Sequence, residues 1–98
     1  MNIIKTLTDT TLTIVLQGRL DTVTAPKLEA EIKHSLTGVT ELIWDFAGVE
    51  YVSSAGLRVL LSTQKVMNKQ GEMILRNVCD AVNEVFEITG FVDILTIE

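Results

Sequence analysis

The sequence predicts an α/β domain with a mixed, largely parallel sheet in the order β-β-α-β-α-β-α-β. Three observations carry that prediction. Two segments rich in β-branched residues open the chain with only a short polar link between them. Three amphipathic helical segments then alternate with apolar runs, the pattern of parallel strands joined by crossovers. Finally, residues 41–69, ELIWDFAGVEYVSSAGLRVLLSTQKVMNK, read as strand, short loop and helix, and the rest of the chain is arranged around them.

The elements follow in order. Residues 3–7 and 12–16 are the opening strands, joined by Thr8-Asp9-Thr10-Thr11; Leu12, Ile14 and Leu16 alternate with polar Thr13 and Gln17, as a half-buried hairpin strand requires. Gly18-Arg19-Leu20-Asp21 ends the second strand. A first helix is expected over residues 24–36, with Thr22 or Thr24 as its cap, Pro26 in the first turn and Gly38 as its stop. Ala25, Leu28, Ile32 and Leu36 form its apolar stripe, while Lys27, Glu29, Glu31 and Lys33 face water.

The central strand contains Leu42, Ile43, Trp44 and Phe46, a nearly unbroken apolar run that predicts burial on both faces. Ala47-Gly48-Val49-Glu50 breaks it. Ser53-Ser54-Ala55-Gly56 leads into a second helix whose apolar side carries Leu57, Leu60, Leu61, Gln64 and Met67. Gln70-Gly71 ends that helix, residues 72–76 read as a fourth strand, residues 79–89 as a third helix closed by Gly90, and residues 91–97 as a last strand.

Composition narrows the function. With 98 residues, 47% apolar and 21% charged, the chain suits one domain with one core, here expected to span residues 1–98. A net charge of −5, from 8 basic and 13 acidic residues, argues against nucleic acid and against an anionic membrane surface as partners. No apolar run approaches the ~20 residues of a membrane span, and the first residues lack the order of a signal peptide. The single cysteine, Cys79, fits a reducing compartment, so the expected location is the cytoplasm.

Two serines stand where the second helix must begin. A hydroxyl there can accept a bond from a free first-turn amide, and the same place favours an added anion. Both serines can be helix caps, or one can be a modification site. At this point the residues resemble a known family. Gly18-Arg19-Leu20-Asp21 is similar to the G-x-L-D signature of STAS domains, Asp45-Phe46 with Tyr51-Val52-Ser53-Ser54-Ala55-Gly56-Leu57 to their phosphorylation loop, and Phe86-Glu87-Ile88-Thr89-Gly90-Phe91 to their L-F-x-x-T/S-G-L segment. The three motifs stand in register over nearly the whole chain, and the group most resembled is the stand-alone anti-sigma factor antagonists of bacteria.

The resemblance implies a STAS domain with a sheet of four to five strands flanked by helices. It also implies a cycle. The unphosphorylated form binds an anti-sigma factor serine kinase of the GHKL type and frees a sigma factor; the kinase inactivates the antagonist on a serine, and a serine phosphatase restores it. Many relatives read D-S-S/T-G-L, with the modified serine two residues before the glycine. Anchoring on Gly56-Leu57 makes Ser54 that serine and Ser53 the second choice, with Ser53 standing where those relatives have aspartate.

The partner-binding residues expected on this reading are Asp21, Ser53, Ser54, Gly56, Arg58, Ser62 and Lys65. Arg58, Ser62, Lys65 and Lys69 recur at spacings of three and four on one side of the second helix. Asp21 and Asp45 each have two readings: orientation of the Ser54 hydroxyl or of a partner's Mg-ATP, or stabilisation of a turn through backbone amides. No catalytic residues, metal site or cofactor are expected. His34, the only histidine, is expected in solvent near a helix end, and the chain has no G-x-S-x-G elbow, Cys/His cluster, P-loop or G-x-G-x-x-G. Two other functions compete: a STAS subunit of a membrane transport system that binds its partner without phosphorylation, and a small hydrolase built on Ser54.

Overall fold

The computed structural model describes residues 1–98 and contains a five-stranded sheet in the spatial order β1-β2-β3-β4-β5. Strand β1 (Asn2–Thr8) pairs antiparallel with β2 (Thr11–Gln17) through a tight turn in which Asp9 takes a positive φ of 55°. Asp tolerates that left-handed conformation better than most residues. Helix α1 (Ala25–Lys33) then crosses to β3 (Glu41–Gly48), α2 (Ser54–Asn68) to β4 (Glu72–Arg76), and α3 (Asp80–Thr89) to β5 (Thr96–Ile97). All three crossovers join parallel neighbours.

The register decides where the core sits. Leu12, Ile14 and Leu16 of β2 align with Leu42, Trp44 and the Phe46 side of β3, and these with Met73 and Leu75 of β4. All belong to one buried cluster with Ala25, Leu28 and Ile32 of α1, Leu57, Leu60 and Met67 of α2, and Val82 and Phe86 of α3. The three helices therefore cover a single face. Burial along β3 alternates, and Ile43 and Asp45 on the other face are only half-buried. This corrects the expectation of a strand buried on both sides. The apolar run misled because Ile43 belongs to the row on the face without helices, in which Thr13, Ile43, Ile74 and Thr96 lie side by side and only Ile74 is buried.

Two ends also differ from expectation. Helix α1 stops at Lys33, with His34 as its C-cap, and Leu36 reaches the core from the following turn. The chain after Gly90 forms a short 3₁₀ turn (Phe91–Asp93), leaving a strand of only two residues. The reason is local: Gly90 adopts φ +78° as a left-handed cap, and the amides of Ile94 and Leu95 both bond the Phe91 carbonyl. Those residues are committed to a turn before they can enter the sheet.

Helices α1 and α2 run side by side in the same direction. Ala25, Pro26 and Glu29 face Ala55, Arg58 and Val59 across a groove, which continues to Leu36 and Thr37 opposite Val66 and Gln70. At the far end, Gly71 brings the turn after α2 against Thr40: a Cβ on Gly71 would lie 1.9 Å from the Thr40 carbonyl oxygen. No helix is long and apolar enough to cross a membrane.

Candidate functional site

The start of α2 is built from two loops at the C-terminal edge of the parallel strands. Beyond the end of β2, Leu20 forms a parallel bridge with Val52. The Leu20 amide donates to the Tyr51 carbonyl (3.0 Å), and the Ser53 amide donates to the Leu20 carbonyl (2.9 Å). Leu20, Val49 and Val52 are buried beneath. The Gly-Arg-Leu-Asp segment therefore clamps the serine loop directly.

The two serines part company here. Ser53 is the N-cap, in extended conformation (φ −91°, ψ 175°), and its Oγ accepts a long bond of 3.4 Å from the Gly56 amide. Ser54 is the first residue of α2 and is exposed; its hydroxyl makes no hydrogen bond to protein. Glycine at position 56 is required by the clamp, since a Cβ there would sit 2.6 Å from Leu20 Cγ and 3.1 Å from the Leu20 carbonyl oxygen. Gly56 is buried: it sets the approach of helix to loop and offers no side chain to a partner.

Asp21 is occupied within its own loop. Its Oδ1 accepts from the amides of Val23 (3.0 Å) and Thr24 (3.0 Å), while the Asp21 amide donates to Thr24 Oγ1 (2.9 Å). The bond from the Thr24 amide is the main reason its carboxyl is held below the ordinary value of 3.8; the Val23 amide, the Thr24 hydroxyl and Arg19 add to it against a partial desolvation. The geometry is that of a turn brace. Thr24 stands at the N-cap of α1 without a side-chain capping bond: its Oγ1 is turned back to accept from the Asp21 amide (2.9 Å) and to donate to the Arg19 carbonyl (2.6 Å).

Asp45 does not approach the serines. It lies on the face of the sheet away from the helices, where Oδ1 accepts from the Ala47 amide (3.0 Å) and from Asn77 Nδ2 (3.1 Å). Of its two readings, turn stabilisation is the one the structure supports. His34 is exposed at the end of α1 opposite Ala25, while it is Ala25 that shares the groove with Ala55. No Ser-His-Asp arrangement forms around Ser54, and no three His, Cys, Asp or Glu side chains converge as a metal site.

Arg58, Ser62, Lys65 and Lys69 are all exposed on one side of α2, and none of the three cations makes an ion pair. The Ser62 hydroxyl bonds back to the Val59 carbonyl (3.0 Å). Val59 is core, whereas Val66 is 41% exposed and lines the groove. The structure adds three residues that spacing did not single out. The Arg19 guanidinium lies 4.0 Å from the centre of the Tyr51 ring, and Val23 is 68% exposed in the Asp21 turn. Arg19 and Tyr51 were signalled in the sequence only by their place inside the Gly-Arg-Leu-Asp and Tyr-Val-Ser-Ser segments, and Val23 had no signal.

A STAS domain family model matches residues 2–98 of the chain. The chain belongs to the STAS family. It is 39% identical over 84 residues to a putative anti-sigma factor antagonist, BtrV, of Bordetella bronchiseptica, covering 84% of this chain and 72% of that protein. It is 30% identical over 97 residues to the anti-sigma-B factor antagonist of Staphylococcus aureus, covering 97% and 90% of the two. Among solved structures, the unphosphorylated form of the anti-sigma factor antagonist SpoIIAA superposes with a TM-score of 0.85 at 25% identity, covering 99% of this chain and 88% of that one. This STAS domain therefore sits in the anti-sigma factor antagonist group, a family of binding modules, and the element order read from sequence is that of the SpoIIAA fold.

Proposed function

We propose that this STAS domain is an anti-sigma factor antagonist of the cytoplasm switched by phosphorylation of Ser54. Unphosphorylated, it binds an anti-sigma factor serine kinase of the GHKL type, and the sigma factor held by that kinase is freed. Phosphorylation by the kinase ends binding, and a serine phosphatase restores it. The observation that carries this reading is the division of labour at the start of α2: the Ser53 hydroxyl is spent on the Gly56 amide, while the Ser54 hydroxyl is exposed and unbonded.

The chemistry of the switch follows from that position. A phosphate brings about −1.5 to −2 charges and three acceptor oxygens. At the first residue of a fifteen-residue helix it meets unpaired amides and the positive end of the dipole, so the fold tolerates it. A docked partner does not, because it would have to strip water from a dianion without a matched cation. A contact surface around Arg58, Ser62 and Lys65 adjoins that position along α2.

The test is a pull-down from the source bacterium with Ser54→Ala and Ser54→Asp baits, followed by mass spectrometry. The alanine form is expected to retain a GHKL-type kinase that the aspartate form releases. Incubation of wild type with that kinase and ATP is expected to add one phosphoryl group to the peptide carrying Ser53 and Ser54, and Ser53→Ala is expected to leave the modification in place. Equal retention by both baits, with no phosphoryl transfer, sinks the proposal.

A further inference from the structure

We propose that Arg19, held over the Tyr51 ring, is the specificity-determining cation of the docking face, and that it receives a carboxylate of the partner protein. The inference rests on the reading of Ser54 as the switch and names the chemistry of what docks there.

Arg19 is fixed at its backbone and at its ring partner, while its guanidinium makes no hydrogen bond within the protein and only one long ion pair, to Asp21. The Arg19 carbonyl accepts from Thr24 Oγ1 at 2.6 Å, and the following residue, Leu20, bonds both Tyr51 and Ser53. The guanidinium stacks 4.0 Å from the Tyr51 ring centre, an arrangement that restrains a long side chain before any partner arrives. Its nearest carboxylate, Asp21 Oδ2, stands 3.6 Å from Nε, beyond hydrogen-bond length, and Asp21 directs its other oxygen to two backbone amides. The Arg19 side chain remains 66% exposed.

A planar, pre-positioned fork of N–H donors matches a carboxylate in a way that a mobile lysine does not. The charge balance favours an acidic group opposite it. In a chain of net charge −5, Arg19 adjoins Leu20, which bonds the serine loop, Arg58 lies one turn beyond Ser54 on α2, and Arg58 has no ion pair. Glu50, the exposed acid of the same loop, pairs with neither. The half-exposed Tyr51 ring beneath the guanidinium supplies an apolar surface that excludes water from one side of such a contact. The arrangement also sharpens the switch, because a phosphate on Ser54 would repel the carboxylate that Arg19 attracts.

The experiment titrates the purified kinase that wild type retains, whatever its affinity for Ser54→Asp. Arg19→Glu is expected to weaken binding about thirtyfold or more, and Arg19→Lys, which keeps the charge and loses the fork, to weaken it by an intermediate factor. Replacing one acidic residue of the kinase by arginine is expected to recover binding to Arg19→Glu. Wild-type binding should weaken steeply with salt, and the Arg19→Glu complex less so. Unchanged or tighter binding by Arg19→Glu, with far-UV circular dichroism and melting as for wild type, overturns the proposal whatever Ser54→Asp does. Conversely, tight binding by Ser54→Asp defeats the switch alone and leaves the Arg19 result standing. A second measurement needs no partner: the Arg19 Nε–H resonance should be ordered in the free protein and lose that order in Tyr51→Leu. An averaged, mobile signal in wild type also overturns the proposal.

Discussion

Ser53 and Ser54 are one residue apart, but at the mouth of a helix one step is a turn of about 100°, so one hydroxyl faces the free amides of the first turn and its neighbour faces solvent. Their stability effects should therefore differ. Ser53→Ala removes the cap accepted from the Gly56 amide and is expected to cost about 0.5–1 kcal/mol, the low end for a cap because the bond is 3.4 Å long. Ser54→Ala removes no bond and should change stability by less than about 0.5 kcal/mol. Urea titrations followed by the fluorescence of Trp44, the sole and fully buried tryptophan, measure both.

The Asp21 carboxylate makes a prediction of the opposite kind, legible only against pH. Its value is lowered on folding, chiefly by the Thr24 amide, so the ionised form favours the native state. That contribution is present above 3.8 and is lost as pH falls through the lowered native value. Asp21→Asn should therefore lie below wild type in stability at neutral pH, and the two curves should converge in acid. Denaturant midpoints measured across the acid range provide the check; a gap that persists undiminished at the lowest pH contradicts it.

At the scale of elements, two glycines set how closely α2 can be seated. Gly56 lets its first turn rest on Leu20, and Gly71 lets the turn after it pass the Thr40 carbonyl. The two are not equivalent. A methyl group on Gly56 meets chiefly the fully buried Leu20 side chain, whereas on Gly71 it would overlap backbone at 1.9 Å. Gly56→Ala is expected to cost about 1–3 kcal/mol and Gly71→Ala at least as much. A readout specific to the site separates them: Gly56→Ala should also weaken kinase binding, because lifting α2 from Leu20 moves Ser54 relative to Arg19, while Gly71→Ala acts at the other end of the helix. Thermal melts beside binding titrations decide this.

The exposed side of α2 gives the next prediction. Arg58 stands one turn beyond Ser54, exposed and without an ion pair. Arg58→Glu is expected to weaken kinase binding about tenfold, a loss typical of one charged contact, while melting stays within a degree or two of wild type. Equal affinity in a calorimetric titration would exclude this face of α2 from the interface.

At the scale of the molecule, placing every helix on one face of the sheet brings the Asp21 turn, the serine loop and the start of α2 to one edge, above the ends of β2 and β3. The element order, the hairpin, the α2 stripe and the placing of a helix start at Ser53-Ser54 were all legible in the residues, because periodicity and capping chemistry are local. So was the family, since its three motifs lie in one register along the chain. What local pattern could not decide was which side of each strand is covered. Ile43 reads as core and faces the open side, and Asp45 follows it there, away from the serines. Nor could it decide which serine is spent, that Gly56 lies buried under Leu20, or that Arg19 stacks on Tyr51. Each of those depends on strand register and on a bridge between loops distant in sequence, and a contact of that kind exists only once the sheet has brought both ends of it together.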